Sequence, residues 1–351
     1  MNGRATVVGA GIAGLATAIG LRRAGWSVEI LERRAEPERY GTALGVHPAA
    51  QSALERLGPG LAAALRERAV PYRHARIRSS AGRELARLPL ERIERRAGRP
   101  ELLISRPYLV DALLAELDRF GDVSLAFGHA VSGTEAGAGS DLIVGADGIG
   151  SAVRAAHFGG RSRPRRVGTT AWIGIADLAT GPRDHGEIWG DGRFFGMTPV
   201  EHGRTNWYAT VPDAVTAEEL RACFATWPDP VPRILAGSDP SDWIRYDMRH
   251  LAPALPSFVR GGRIALVGDA AHAMTPNLGQ GACTALLDAE ALTGAVAARG
   301  TRDPAAALRA YDRTRRRSAQ RVALASRTLH RLMTTHRTRA RDTVLRLLPT
   351  G

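Results

Sequence analysis

Three groups of glycines and acidic residues in this 351-residue chain have the spacing to hold a phosphate-bearing ligand. The first is Gly9-Ala-Gly11-Ile-Ala-Gly14, followed 18 residues later by Glu32 and its neighbour Arg33. In that pattern Gly9 permits a tight turn and Gly11 lets a pyrophosphate come close to the backbone. Gly14 packs helix on strand, and Glu32 accepts from a ribose hydroxyl. The second group is Asp147-Gly-Ile-Gly-Ser-Ala-Val-Arg154. The third runs from Gly268-Asp269 through Pro276 to Gly279-Gln280-Gly281 and feeds an Ala/Leu-rich run. Glycines at a helix start let backbone approach a ligand, and the free N–H groups there favour negative charge. The chemistry implied is the holding of an adenine dinucleotide, and the first group alone does not choose between NAD and FAD.

These residues need strands and helices to aim them. Thr6 to Val8 and Ser27 to Leu31 read as strands around a helix from Leu15 to Ala24, the order that the glycine fingerprint requires. Asp141 to Val144 is an apolar run that delivers Asp147, and Ile264 to Val267 delivers Asp269. Gly41 to Gly58 reads as a glycine loop and then a helix. Leu102 to Ser105 leads into Arg106 and a helix from Tyr108 to Phe120, where Arg106 can hold a phosphate. Between Leu61 and Arg99 the expectation is a helix, strands near His74 to Arg78 and Glu84 to Leu88, and a loop. From Arg165 to Trp243 the texture changes to short β-like runs carrying Trp172, Trp189, Trp207, Trp227 and Trp243. An antiparallel sheet with aromatics on one face either fills a core or walls a pocket for a flat ligand. Beside a redox cofactor, Trp172, Phe195, Trp207 and Tyr208 are expected to line the pocket.

Composition narrows the classes. Hydrophobic residues make up 44% and charged residues 24%, which is ordinary for a folded globular protein. No apolar run reaches the length needed to span a bilayer, and the glycines within Val7 to Leu21 have a better explanation than a signal peptide. Cys223 and Cys283 are too far apart, with no His cluster at ligand spacing, to suggest a disulfide framework or a metal site. The net charge of +13 is concentrated in the tail, where residues 301–351 hold 13 Arg against Asp303, Asp312 and Asp342, a net of +10. Every basic residue apart from histidine is Arg. Ala307, Leu308, Tyr311, Val322, Leu324, Leu329, Leu332 and Met333 recur at helical spacing there, so the tail reads as amphipathic helices with solvated Arg faces. No aromatic ladder accompanies the charge, so nucleic acid is not an expected partner.

Taken in order, GAGIAG with Glu32, DGIGSAVR at Asp147 to Arg154 and GDAAHAMTPNLGQGA at Gly268 to Ala282 resemble the class A flavoprotein monooxygenases, the para-hydroxybenzoate hydroxylase-like group, and its salicylate- and 3-hydroxybenzoate-hydroxylase-like members above all. The resemblance runs over nearly the whole chain. It implies an α/β fold, with a Rossmann-like FAD-binding domain of residues 1–70, 100–165 and 260–300. An inserted antiparallel β-sheet substrate domain takes 71–99 and 166–259, and C-terminal helices take 301–351. It implies FAD held by Gly9, Gly11, Gly14, Glu32, Arg33, Arg106, Asp147, Asp269, Pro276, Gly279, Gln280 and Gly281, with Asp269 on the ribityl chain and Pro276 to Gly281 along the ring. Pro276, Gly279, Gly281 and Tyr208 are the residues expected closest to the chemistry. His47, His202 and His272 join Tyr208 as candidate general bases.

The activity implied is hydroxylation of a small aromatic substrate, phenolic or polycyclic, with O2 and with NADPH or NADH as transient co-substrate, in a cytoplasmic monomer or homodimer. Another flavin oxidation (epoxidation, ring opening or dehydrogenation), or a flavin-binding protein without turnover, are the alternatives. Two departures from the family stand out. Only 12 residues, His129 to Ser140, fill a gap that in relatives holds several strands, which reduces the cover over the ADP half. Ile173 stands where many relatives carry Arg after the Thr-Ala-Trp segment, so a substrate-anion or gating role for that Arg is not inherited.

Overall fold

The two apolar runs that bracket the first glycine turn lie side by side in the computed structural model as parallel strands, β1 (Arg4–Val8) and β2 (Ser27–Leu31). The structure describes residues 3–37, 43–133, 135, 137, 139–212, 215–299 and 303–347. Between the strands runs α1 (Ile12–Arg23), apolar all round and buried from Gly14 to Leu21, as suits a crossover helix covered by other elements. Next come β3 (Ala43–Val46), α2 (Pro48–Leu57), α3 (Pro59–Arg68), β4 (Val70–Tyr72), β5 (Arg76–Ser79) and β6 (Glu84–Arg87). Positions 41–42 of the glycine loop expected after β2 lie outside the described residues. The segment read as a loop before Arg99 is in fact a helix, α4 (Leu90–Ala97), closed by Gly98 in the left-handed conformation. After it follow β7 (Glu101–Ser105), α5 (Arg106–Asp118), β8 (Ser124–Ala126), β9 (Leu142–Gly145) and α6 (Ala152–His157). Between β8 and β9 the described residues form no strand, although positions 134, 136 and 138 lie outside them.

The second half of the chain opens with β10 (Arg163–Ala176), β11 (Gly186–Gly190), β12 (Arg193–Val200), β13 (Arg204–Val211), α7 (Ala217–Phe224), α8 (Val231–Ala236) and β14 (Ile244–Ala252). It closes with β15 (Val259–Arg260), β16 (Ile264–Leu266), α9 (Asp269–His272), α10 (Gly281–Arg299), α11 (Pro304–Met333) and α12 (Thr338–Leu347). Three sheets result, in the orders β15-β16-β9-β1-β2-β8, β14-β10-β13-β12-β11-β5-β6 and β3-β7-β4. In the first sheet Val8 and Leu266 both pair with Gly145, so β1, β9 and β16 end together. Their outgoing loops are the three glycine groups, and they emerge at the edge where open parallel sheets bind ligands.

In the seven-stranded sheet, Ile173 lies opposite both Tyr208 and Ile244, and Gly196 opposite Tyr208. Side chains alternate along a strand, so Trp207 and Tyr208 must face opposite ways, and this corrects the expected pocket. Trp172, Phe195 and Trp207 pack with Trp243, Phe224, Val231 and Ile234 in a core beneath α7 and α8. The rings of Phe195 and Trp207 stack with centroids 5.7 Å apart, and Trp207 meets Trp243 edge-on at 5.0 Å. This face is apolar because helices cover it, and the aromatic signal came from that core. Only Tyr208 of the four looks the other way. Phe195→Leu should therefore lower unfolding stability by about 1 kcal/mol in a urea titration and leave ligand binding unaltered. Altered binding at unchanged stability would instead put the ring in a pocket.

The Arg-rich tail forms a long helix, α11, and the shorter α12; the buried side of α11 includes Ala307, Leu308, Tyr311, Ala319 and Met333, while Leu324, assigned to the apolar stripe, is 54% exposed. Tyr311 Oη donates to Leu266 O at 2.7 Å, fastening the helix to the end of β16.

Candidate active site

The first loop separates two uses of glycine. Gly9 has φ +105°, and an added Cβ would stand 2.5 Å from Ala146 O; one on Gly14 would run into Gly9 O. Both are glycine because neighbouring backbone needs the space. A Cβ on Gly11 would meet nothing within 4 Å, so that space is kept open for something outside the chain. At this point α1 starts without a side-chain cap, leaving its first N–H groups for an anion. Glu32, 9% exposed, accepts from Ala10 N at 2.7 Å and from Arg34 N at 2.9 Å. It braces the turn, and each oxygen keeps a lone pair for a ribose hydroxyl. Arg33 lies exposed beside it.

In the second loop Asp147 Oδ2 accepts from Ala152 N (2.7 Å) and Val153 N (3.2 Å), capping α6. Its Oδ1 is buried with no hydrogen-bond partner among the described residues. Arg154, 3% exposed, donates to Ile149 O at 2.6 Å and to Ala270 O at 2.9 Å, so it ties the second loop to the third. Burial lowers its pKa, against the pull of Asp147 and Asp269.

Asp269 opens the third loop. Its side chain is accessible to solvent yet has protein around it, as on the floor of a cleft. Burial raises the pKa of its carboxyl, while His272, Arg106 and Arg154 pull it down. Pro276 and Gly279 are exposed, Gln280 and Gly281 partly buried, and a Cβ on Gly279 or Gly281 would again meet nothing within 4 Å. Behind this loop sits Asp288, fully buried on α10. Its Oδ2 accepts from Gly268 N at 3.0 Å and from His272 Nε2 at 2.5 Å, and its Oδ1 from Arg315 Nε at 2.8 Å. Burial alone would raise its pKa, but His272 and Arg315 hold it below the usual carboxylate value.

The other face of the seven-stranded sheet comes near these loops at Tyr246. Ile173, Ile244, Tyr208 and Tyr246 share this face by register. Tyr246 is 37% exposed and feels the charges of Arg106 and Asp269; burial pushes its hydroxyl up to about 12. Arg106 starts α5, and Ser105 just before it is fixed by Glu201, which accepts from Ser105 N at 3.1 Å and Ser105 Oγ at 2.5 Å. Tyr208 Oη donates to Glu187 Oε1 at 2.9 Å and its ring lies against Gly196. Asn277 Nδ2 donates to Met333 Sδ at 3.3 Å, bringing the end of α11 to the ring-side loop.

An orphaned carboxylate oxygen, three glycines open to the cleft and two helix starts along one sheet edge fit a long dinucleotide with an acidic centre and a flat end. A dinucleotide cradle of this kind opposed by a mixed sheet defines a flavoprotein of the class A hydroxylase type. The chain belongs to the FAD binding domain family, which matches residues 4–326, and is a class A FAD-dependent aromatic monooxygenase. It is 35% identical over 310 residues to the aurachin C monooxygenase/isomerase of Stigmatella aurantiaca, covering 82% of this chain and 78% of that one. It is 34% identical over 341 residues to an FAD-dependent urate hydroxylase of Klebsiella pneumoniae, covering 89% and 85%. The structure of an HpxO variant from Klebsiella pneumoniae complexed with FAD superposes with a TM-score of 0.87 at 29% identity, covering 98% of this chain and 94% of that one.

The fold gathers Gly9, Gly11, Gly14, Glu32, Asp147, Asp269, Pro276, Gly279, Gln280 and Gly281 along one edge, with Arg106 in electrostatic reach of Asp269. It sends Trp172, Phe195 and Trp207 to the far side of the sheet. Tyr246, Glu187, Glu101 and Arg315 escaped the sequence reading. Tyr246 follows a run with no visible strand pattern, and Arg315 is one of 13 arginines in the tail. Asp288 did carry a signal, a lone carboxylate within an Ala/Leu helix.

Proposed function

We propose that this enzyme uses NADPH or NADH and O2 to hydroxylate a planar aromatic ring, phenolic or polycyclic, that bears an acidic O–H or N–H. The observation that carries the reading is the cleft itself. Asp269 and the open Pro276 to Gly281 loop stand on one side, and Tyr246, on the sheet face it shares with the part-exposed Ile173 and Ile244, comes within electrostatic reach of Asp269 and Arg106. A flat apolar ring fits between a flavin and such a wall. The chemistry supplied by bound FAD is acceptance of a hydride from the nicotinamide and activation of O2. The chain's own residues exclude water, hold the substrate ring against the cofactor and offer the backbone N–H groups at the start of α10 to negative charge. Ile173 is apolar where many relatives carry Arg, so a substrate-anion or gating role for that Arg is not inherited. Relatives named as a urate hydroxylase and a 3-amino-4-hydroxybenzoate 2-monooxygenase support ring hydroxylation, and one named an aurachin C monooxygenase/isomerase supports monooxygenation.

Purified protein should be yellow, absorbing at about 450 nm, and suitable phenols should speed NADH or NADPH oxidation roughly tenfold or more with a hydroxylated product. Yellow protein that turns every ring tried into hydrogen peroxide alone would defeat the hydroxylase assignment for those ligands.

A further inference from the structure

We propose that the groove between α11 and the end of β14 is a second ligand site, and that it takes a planar aromatic acid, an apolar ring bearing a carboxylate. None of the residues assigned to the flavin lines this groove, and its assignment does not depend on the hydroxylase reading.

The groove encloses about 730 Å³, within the range of cavities that hold small organic molecules. Its apolar wall is made by Leu251, Pro253, Ala254, Ala271, Ala323 and Leu324. Two hydrogen bonds fix that wall. Leu251 N donates to Ala273 O at 2.8 Å, joining β14 to the residue after α9, and Gln320 Nε2 donates to Leu255 O at 2.6 Å, holding α11 against the loop beyond β14. The exposure of Leu324 in the apolar stripe of α11 has its reason here, since the side chain forms part of the groove. Ala271 and Ala273 follow closely on Asp269 in the chain, so an occupant would touch the segment that carries the cleft's carboxylate.

The polar side of the groove has one sign of charge. Arg317, Arg321, Leu324 and Arg327 recur three or four residues apart, which sets them in one stripe of α11, and all four line the groove. Neighbouring arginines are spent elsewhere: Arg315 donates to Asp288, and Arg316 Nε to Asp312 Oδ2 at 3.3 Å. Arg317 and Arg321 make no hydrogen bond or ion pair among the described residues. Arg327 Nη1 donates to His250 Nε2 at 3.2 Å. Burial, with Arg327 and Arg331 beside it, holds His250 below its ordinary value, so it is a neutral acceptor. No aspartate or glutamate lines the groove among the described residues. Of the histidines named as candidate bases only His272 does, and its Nε2 is committed to Asp288; His47 Nδ1 lies 3.1 Å from Glu101 Oε2, and His202 Nε2 lies 3.4 Å from Tyr108 Oη.

Cations over an apolar wall with no internal counter-ion call for an anion that also has an apolar body. The guanidinium fork matches a carboxylate and stacks on an aromatic face. Small side chains at Pro253, Ala254, Ala271 and Ala323 leave room for a flat ring against the wall. A second copy of the chain does not suit the face, because a two-fold contact would set this arginine stripe against itself with no carboxylate to meet it.

Calorimetric titration of the FAD-loaded enzyme with 2-naphthoate and with its neutral isostere 2-naphthamide tests the site. Wild type should bind the acid, and bind the amide about tenfold or more weakly. The double variant Arg317→Gln/Arg321→Gln should lose about tenfold or more in affinity for naphthoate, and Leu324→Glu, which brings a like charge into the groove, should abolish binding. Both variants should keep the flavin absorbance of wild type, which shows that they fold. Naphthoate held in the flavin cleft would bind both variants as tightly as wild type and would overturn the proposal. So would a wild type that binds no naphthoate, or that binds acid and amide equally.

Discussion

Asp269→Ala is expected to leave the protein folded and nearly colourless. The carboxylate stands on the floor of the cleft, at the point where β16 hands over to α9, with Arg106 and Arg154 near it. Hydrogen bonds to a charged group contribute about 1.5–3 kcal/mol each, so FAD affinity should fall between about tenfold and somewhat over a hundredfold. Fluorescence titration of the apoprotein with FAD gives the number directly, and full occupancy in the variant would refute the ribityl role. The apoprotein's own stability supplies a second readout. Asp269 has a folded pKa raised by burial, so its ionised form disfavours the folded state as pH rises through that value. Removing it should leave the apoprotein no less stable at neutral pH, which separates loss of ligand from loss of fold.

Asp288→Asn should act in the opposite sense, on stability first. The carboxylate is fully buried and receives Arg315, His272 and the Gly268 amide. Taking away the charge strands a buried guanidinium, and breaking such a pair from one side costs about 3–5 kcal/mol. In a chain of this size that is a fall of roughly 4–7 °C in Tm, measured by calorimetry. The pH dependence has a definite sign. Asp288 is held below its ordinary 3.8, so its contribution is present above that value and is lost as pH falls through the folded one. Wild type should thus lose stability below about pH 4 through this group, and Asp288→Asn should lack that component of its acid profile. A variant as stable as wild type at pH 7 would show that the network is incidental.

The dinucleotide half of the molecule was legible because its rules are local. Gly9, Gly11 and Gly14 are spaced by the geometry of one turn, and Asp147 and Asp269 directly follow buried strands, so sequence order alone places them at a common edge. The sheet half was not legible for the same reason in reverse. Whether Trp207 or Tyr208 faces the flavin depends on which side α7 and α8 cover, and that is settled by contacts between distant segments. Aromatic content marked the sheet correctly but pointed to its wrong face. Glu101 shows a third situation: Gly45 and His47 are close to each other in sequence, yet the carboxylate that lies 3.1 Å from His47 Nδ1 and needs the space over Gly45 arrives from β7 by antiparallel pairing. A single acidic residue at the head of a strand carries no sign of such a contact.

The hold of α11 on the flavin loop also has a consequence for how the enzyme is made. Tyr311 bonds the end of β16 and Arg315 completes the charge balance of Asp288, so residues from the last tenth or so of the sequence finish a site begun at Gly9. During synthesis from the N-terminus the first βαβ unit can form early, but Asp288, which holds the Gly268 amide, gains its arginine only when α11 has left the ribosome. A polypeptide cut short before Tyr311 would carry the dinucleotide fingerprint intact and still leave the end of β16 without its tyrosine and Asp288 without its arginine.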